Sequence, residues 1–417
     1  MELANYNLKF KANHLFWLIF CAIFYFGIFF PYIKVTPFPI DTQPTALVAS
    51  IFLFFLVKEK KPPLVLAMLL IPFIFALALG ALDNFAFAAI RSILNYASIF
   101  FVPYATYIVL KKNNGFPQKY LIIIILIWLF VAFIQTYISS SFLSFLLPRM
   151  NTGFQGRGVV SLAPEPSHFG IQCLMFFILS YLNKPKDKLG LLLPMIGIGF
   201  FAKSSFSLFI VAIFILNYLV IYFSFKSLFV TLFLFFAGYY YIEFFQRGSR
   251  LFVLAHFFIK NPLGLFFLDL SATTRFLNIY FALRGFVENY FLPRGFILNW
   301  QPYIESSFHV FLDLFTKHTT FPLVMIYAIQ KDIADDPRIF GGLSPALFEL
   351  GFIGLFIPLA IIIIMYNFSK GNFRKFCYLS LVAITLSLVI PLSTTLFSFI
   401  LGFCLYKSTL KETICLK

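Results

Sequence analysis

The sequence predicts an all-α polytopic integral membrane protein, with about twelve transmembrane helices and one large external helical loop. Three observations predict it. Of 417 residues, 61% are hydrophobic and 12% charged, with a mean hydropathy of +0.92; a soluble domain carries about a quarter charged residues. Apolar runs such as 121–133 and 206–223 are continuous and do not alternate, the pattern of helices in lipid and not of barrel strands. Between 243 and 345 the pattern changes, and nine basic and eight acidic side chains are scattered among Phe, Leu and Tyr.

Crossing the hydrocarbon core takes roughly 20 apolar residues per helix. Taken in order, the spans fall at 14–33, 40–57, 63–82, 92–110, 120–138, 164–182, 189–202, 205–225, 227–243, 346–366, 375–390 and 392–407. The first of these lacks a small-residue cleavage site and reads as a retained helix, not a signal peptide. Lys203, Ser204 and Ser205 divide one apolar run, and Ile390, Pro391 and Leu392 divide another; undivided, each is too long for one crossing. The chain therefore divides into nine spans over 1–243, a loop over 244–345 and three spans over 346–417. Within the loop, 251–259 and 274–290 read as amphipathic helices. Glu288 stands four residues after Arg284, which predicts an intrahelical ion pair. Pro293, Arg294 and Gly295 read as a turn.

Twelve spans put both termini on one side. The connections there carry eighteen basic and four acidic residues, against fourteen basic and twelve acidic on the other side. The positive-inside rule makes the first side cytoplasmic and the loop external. The net charge of +16 is then a topology signal, and a nucleic-acid partner is excluded. The five cysteines, Cys21, Cys173, Cys377, Cys404 and Cys415, have no CxxC or metal-type spacing and read as small core hydrophobes.

Arginine is sorted more sharply than charge. Nine of the ten arginines, Arg91, Arg149, Arg157, Arg247, Arg250, Arg275, Arg284, Arg294 and Arg338, fall on or near the external side, whereas seventeen of the eighteen inner cations are lysine. Lysine satisfies positive-inside; planar multi-donor arginine suits carboxylate or phosphate. Local pairing with neighbours such as Glu288 or Asp336 is the plainer alternative for any one of them.

The segment before the sixth span runs from Asn151 through Arg157 to Pro164, Glu165, Pro166, Ser167 and His168. The prolines stiffen a helix start, Glu165 or Ser167 can cap it, and a carboxylate so placed can serve as a general base. A rigid cap is the competing reading, and His168 one turn on fits a core histidine. Arg275 and Arg284 are half a turn apart around a straight helix at about 100° per residue. His309 and His318 lack metal spacing, and there is no HExxH, GxGxxG, Walker loop or GxSxG. Asp332, Asp335 and Asp336 beside Arg338 read as a solvated turn. Asp41, Asp83, Arg91 and Lys203 lie near helix ends, where snorkelling explains them as well as function does. Tyr290, Trp300 and Tyr303 are candidates for stacking on sugars.

Three segments, in this order, resemble the bacterial polysaccharide-repeat polymerases of the Wzy type. They are Arg157-Gly158 with Pro164-Glu165-Pro166-Ser167; Thr274-Arg275-Phe276-Leu277, Arg284 and Leu292-Pro293-Arg294-Gly295-Phe296; and Leu347-Phe348-Glu349-Leu350-Gly351-Phe352-Ile353-Gly354. The resemblance implies a metal-independent membrane glycosyltransferase of GT-C-like architecture, needing no cofactor, in a bacterial inner membrane with its site facing the periplasm. The implied donor is the growing polymer on undecaprenyl pyrophosphate, and the acceptor is a new lipid-linked repeat unit. A chain-length regulator is an implied partner. The roles implied are catalytic for Glu165, Arg157, Arg275 and Arg284, and substrate-binding for Arg294, His168, Lys203, His309, His318 and Glu349.

The related ligases carry a His just before the span that follows the large loop. Here that stretch, 338–345, has none, which leaves the base open, with Glu165 ahead of His309 and His318. An O-antigen ligase, and from another class a lipid-linked-oligosaccharide flippase or other transporter, remain the alternatives. The hundred-residue loop and the scarcity of mid-span charge weigh against transport.

Overall fold

The computed structural model describes residues 14–35, 42–57, 63–85, 87–147, 158–225, 270–296 and 342–415, together with Tyr303 and scattered positions between 228 and 243. Among the described residues regular structure is helical throughout. The order is α1 (His14–Phe29), α2 (Thr45–Leu56), α3 (Leu64–Leu82), α4 (Phe87–Lys112), α5 (Gln118–Tyr137), α6 (Pro166–Asn183), α7 (Lys188–Ile196), α8 (Ser205–Ile221), α9 (Leu270–Glu288), α10 (Leu343–Leu350), α11 (Phe356–Phe368), α12 (Phe373–Val389) and α13 (Thr395–Cys415). The expected helix at 251–259 and most of the expected span at 227–243 lie outside the described residues.

Four stretches, Leu64–Leu82, Ala89–Lys112, Gln118–Tyr137 and Leu343–Phe368, are long and apolar enough to cross a membrane by length and composition. The chain is thus a helical protein with helices of membrane-spanning kind. Leu64–Leu82 and Gln118–Tyr137 are only 33% buried over their most apolar window. Outward-facing Phe55, Phe130 and Val220 fit a lipid solvent, because apolar surface costs little there. Both divided runs do end in helix breaks. A π-helical turn, Gly197–Ala202, continues α7, and Lys203 closes it with φ 45° before α8 begins. At the other break α12 stops at Val389, extended Ile390 caps it, and α13 begins at Thr395.

The chain groups into two compact units, each built from separated stretches: one from residues up to Leu66, Ala97–Leu208 and Ser393 onward, the other from Ala67–Tyr96 and Phe209–Leu392. In lipid, helices associate through close packing and interhelical hydrogen bonds, since tails are as apolar as the side chains. The first unit does this with aromatic rings. Phe29, Phe116 and Phe399 stand 5.3 to 5.7 Å apart, and fully buried Trp128 donates from Nε1 to the Phe29 carbonyl at 3.1 Å. Cys21, Cys173 and Cys404 are buried and Cys377 half-buried, none of them in a disulfide.

In the second unit α9 packs on α10, and α10 and α11 are one apolar helix interrupted by a 3-10 stretch, Gly351–Leu355. Gly351 holds φ +58°, and a Cβ there would lie 2.5 Å from both the Phe291 carbonyl and Pro293 N. Only glycine tolerates that backbone and that approach together.

Candidate functional site

Chemistry-bearing side chains gather in two clusters, one in each unit. In the first unit α5 supplies the anchor. Gln135 donates from Nε2 to the carbonyls of Ser161 (2.9 Å) and Phe142 (3.0 Å), and its Oε1 accepts from Ser161 N at 2.7 Å. Ser161, fully buried with φ 54°, also donates its hydroxyl to the Trp128 carbonyl at 2.7 Å. A non-glycine residue in the left-handed region is costly unless its surroundings hold it; here one glutamine and one carbonyl do so. The segment continues to Glu165, which stands at the N-cap of α6 with Pro166 behind it.

Of the two candidate caps, Glu165 takes the N-cap position, but no side chain makes the cap hydrogen bond. Its backbone carbonyl accepts from His168 N and Phe169 N at 3.1 Å, while Oε2 accepts the Ser167 hydroxyl at 3.3 Å. The His168 ring lies 5.6 Å from that of Tyr32. The Lys203 turn belongs to the same cluster. Val159 N donates to the Phe201 carbonyl at 2.9 Å, and Gly158 fits only because no Cβ competes with the Phe201 and Ala202 backbone. Beyond Lys203, Ser204 Oγ accepts from Ser207 N at 3.3 Å, an N-cap bond for α8, and Ser207 Oγ reaches the Ser167 carbonyl at 3.5 Å. The starts of α6 and α8 therefore adjoin, bringing two positive helix ends together next to half-buried Lys203.

In the second unit the expected ion pair forms. Arg284 Nε donates to Glu288 Oε1 at 2.6 Å, and Tyr303 OH donates to Glu288 Oε2 at 2.8 Å. Burial works to raise the Glu288 carboxyl, and the hydrogen bonds from Arg284 and Tyr303 with the charges of Arg284 and Arg294 outweigh it, leaving the group below its ordinary value. The hydrogen bond to Glu288 raises Arg284 further. Arg284 Nη1 is buried without a hydrogen-bond partner among the described residues.

Gly295 holds φ 79°, as a turn at Pro293 to Gly295 would have it, and a sharper reversal precedes it. The chain turns at Tyr290 and Phe291, with φ 53° and 65°. Arg294 and Gly295 then lie along the end of α10, their amides donating to the Phe348 (3.1 Å) and Glu349 (3.2 Å) carbonyls. There Phe291 N donates back to the Phe286 carbonyl at 3.0 Å, and the chain then meets α10. Arg294 Nε donates to the Gly285 carbonyl at 3.2 Å, and its guanidinium lies 4.4 Å from the Tyr303 ring centre and 5.6 Å from that of Phe348. Tyr303 is thus buried under Arg294 and bound to Glu288, an arrangement that occupies it and leaves little ring for a sugar.

Glu349 is 3% exposed. Ser92 Oγ donates to its Oε1 at 2.9 Å and Tyr96 OH to its Oε2. Ser92 and Tyr96 carried no motif; their spacing of one helical turn shows only that they share a face of α4. Arg275 lies in α9 with Arg284. Arg157, His309, His318 and Trp300 lie outside the described residues. Among the described residues no three His, Cys, Asp or Glu side chains converge as metal ligands. Searches of family profiles, curated proteins and solved structures find no match to this chain.

Proposed function

We propose that this chain polymerises undecaprenyl-pyrophosphate-linked oligosaccharide repeat units at the periplasmic face of a bacterial inner membrane, crossing it about twelve times with both termini inside. In this reading it is a metal-independent, GT-C-like glycosyltransferase that passes the growing chain from its lipid pyrophosphate to a new lipid-linked unit. One observation carries the reading: two of the three segments that resemble the polymerases, far apart in sequence, are fastened together through Arg294, Gly295, Phe348 and Glu349. The same cluster holds two arginines, one with a buried donor that has no hydrogen-bond partner among the described residues.

Departure of a pyrophosphate builds negative charge as the glycosidic bond breaks, and preorganised guanidinium donors stabilise it. Arg284 and Arg294 take that role, with Arg157 and Arg275 assigned to the same anion. Glu165 is the assigned proton acceptor for the attacking hydroxyl. His168 and Lys203 are assigned to substrate binding near the start of α6, and His309 and His318 to sugar contacts of the loop.

A flippase or other transporter is the second reading, and Glu349 favours it: a buried carboxylate in an interrupted apolar helix is a recurrent transport feature. Deleting the gene in its host, restoring it on a plasmid and running the surface lipopolysaccharide on a gel separates the readings. Core plus a single repeat in the deletion strain, with the ladder restored by the plasmid, supports polymerisation. Loss of the single repeat with accumulation of lipid-linked polymer means ligation, and unchanged glycans leave transport.

A further inference from the structure

Glu349 joins two structures by different parts of itself. Its carboxylate accepts hydroxyls from Ser92 and Tyr96 on α4, while its carbonyl and that of Phe348 accept the amides of Gly295 and Arg294. Tyr96 is 2% exposed and Ser92 8%, so solvent cannot replace either donor. Both carboxylate oxygens are engaged and the group is buried, which suits it poorly to receive a substrate proton. A carboxylate held on both oxygens instead fixes the last turn of α10 in rotation and height. That turn presents the two carbonyls on which Arg294 and Gly295 hang, and the Phe348 ring against which the Arg294 guanidinium lies.

We infer that Ser92 and Tyr96 are positioning residues, acting through the Glu349 carboxylate to hold Arg294 in place for an anionic substrate group. The inference rests on the polymerase reading for what Arg294 binds. Loosening the carboxylate lets the end of α10 rotate, and the Arg294 segment moves with it. The arginine keeps its charge but loses its aim.

The test is a double-mutant cycle in membranes from the deletion strain, which supply the host's own lipid-linked repeat units, read as polymer formed per unit of protein. In the wild-type background Tyr96→Phe lowers turnover about tenfold, the scale of one hydrogen bond to a charged group, and Ser92→Ala lowers it less, with Ser92→Thr restoring it. In an Arg294→Lys background Tyr96→Phe costs less than about twofold, because the group it aims has already been altered. An equal loss in both backgrounds, as general destabilisation gives, overturns the inference, as does no loss in either. Hydrogen exchange on the purified full chain carries the test independently of the reaction. Tyr96→Phe speeds exchange of the Arg294 and Gly295 amides while leaving α5 and α6 unchanged; unaltered exchange at those two amides defeats the inference. If the wild-type chain itself restores no ladder, the polymerase reading fails, and the exchange result still decides whether Tyr96 holds the Arg294 segment.

Discussion

Tyr96 donates its phenolic hydrogen bond to Glu349 across 253 residues of chain, and Ser92, one turn earlier on α4, donates to the other carboxylate oxygen at 2.9 Å. A buried carboxylate without such donors is expensive, and buried hydroxyls without an acceptor cost about 1–3 kcal/mol each. The three groups therefore stand or fall as a unit.

Glu349→Ala strands both hydroxyls and is expected to destabilise the protein by roughly 2–5 kcal/mol, whereas Glu349→Gln, which keeps one acceptor oxygen, costs less than half of that. Thermal unfolding of the purified protein in one detergent compares them directly. Equal losses for the two variants would show that side-chain volume, and not the hydrogen bonds, holds this junction.

Acid should loosen the α9 cluster by a predictable route. The Glu288 carboxyl lies below its ordinary value of 4.5 in the folded chain. Its contribution is then complete above that ordinary value and is lost as pH falls through the lowered folded value. Melting temperature is expected to drop below about pH 4.5, with a smaller drop in Glu288→Gln. Parallel curves for the two proteins would exclude the pair as a source of acid sensitivity.

Gln135 holds a strained segment that leads to Glu165. Gln135→Leu removes three hydrogen bonds and leaves the Ser161 amide and carbonyl buried without them, for an expected loss of about 2–4 kcal/mol. Ser161→Gly is expected to be far milder, since glycine adopts φ 54° freely and loses only the bond to Trp128. Urea or thermal midpoints of the two variants test the order; a reversed order refutes the view that Gln135 is the anchor.

Gly351→Ala adds a Cβ 2.5 Å from the Phe291 carbonyl and from Pro293 N at φ +58°. The segment bearing Arg294 must shift to admit it. Expected outcomes are a stability loss of at least about 1–3 kcal/mol and reduced polymer formation. A variant as stable and active as the wild type would mean that the helix interruption is not needed where it stands.

Much of this architecture is written along the chain. Continuous apolar runs specify helices because lipid offers backbone groups no partner but one another, so the apolar helices and two breaks between them, at Lys203 and after Val389, are readable along the chain. The Arg284–Glu288 pair is equally readable, since i and i+4 adjoin on any helix. Left-handed Ser161 and Lys203 are not, because neither is glycine and each is held by neighbours that local sequence does not name. The reversal at Tyr290 and Phe291 is hidden for the same reason, while Gly295, at φ 79°, does adopt the turn backbone that Pro293 and Gly295 signal.

The sequence by itself thus determined the helical class, the apolar stretches and the arginine-rich stretches, all of them consequences of composition and short-range periodicity. Only the tertiary structure decided which distant polar groups meet: Glu349 with Ser92 and Tyr96, Glu288 with Tyr303, Ser161 with Gln135. The physical reason is range. Hydrophobicity and helix geometry act within a few residues, whereas a buried polar group finds its partner through the packing of whole helices, and one hydroxyl on α4 looks no different in sequence from any other until α10 is laid against it.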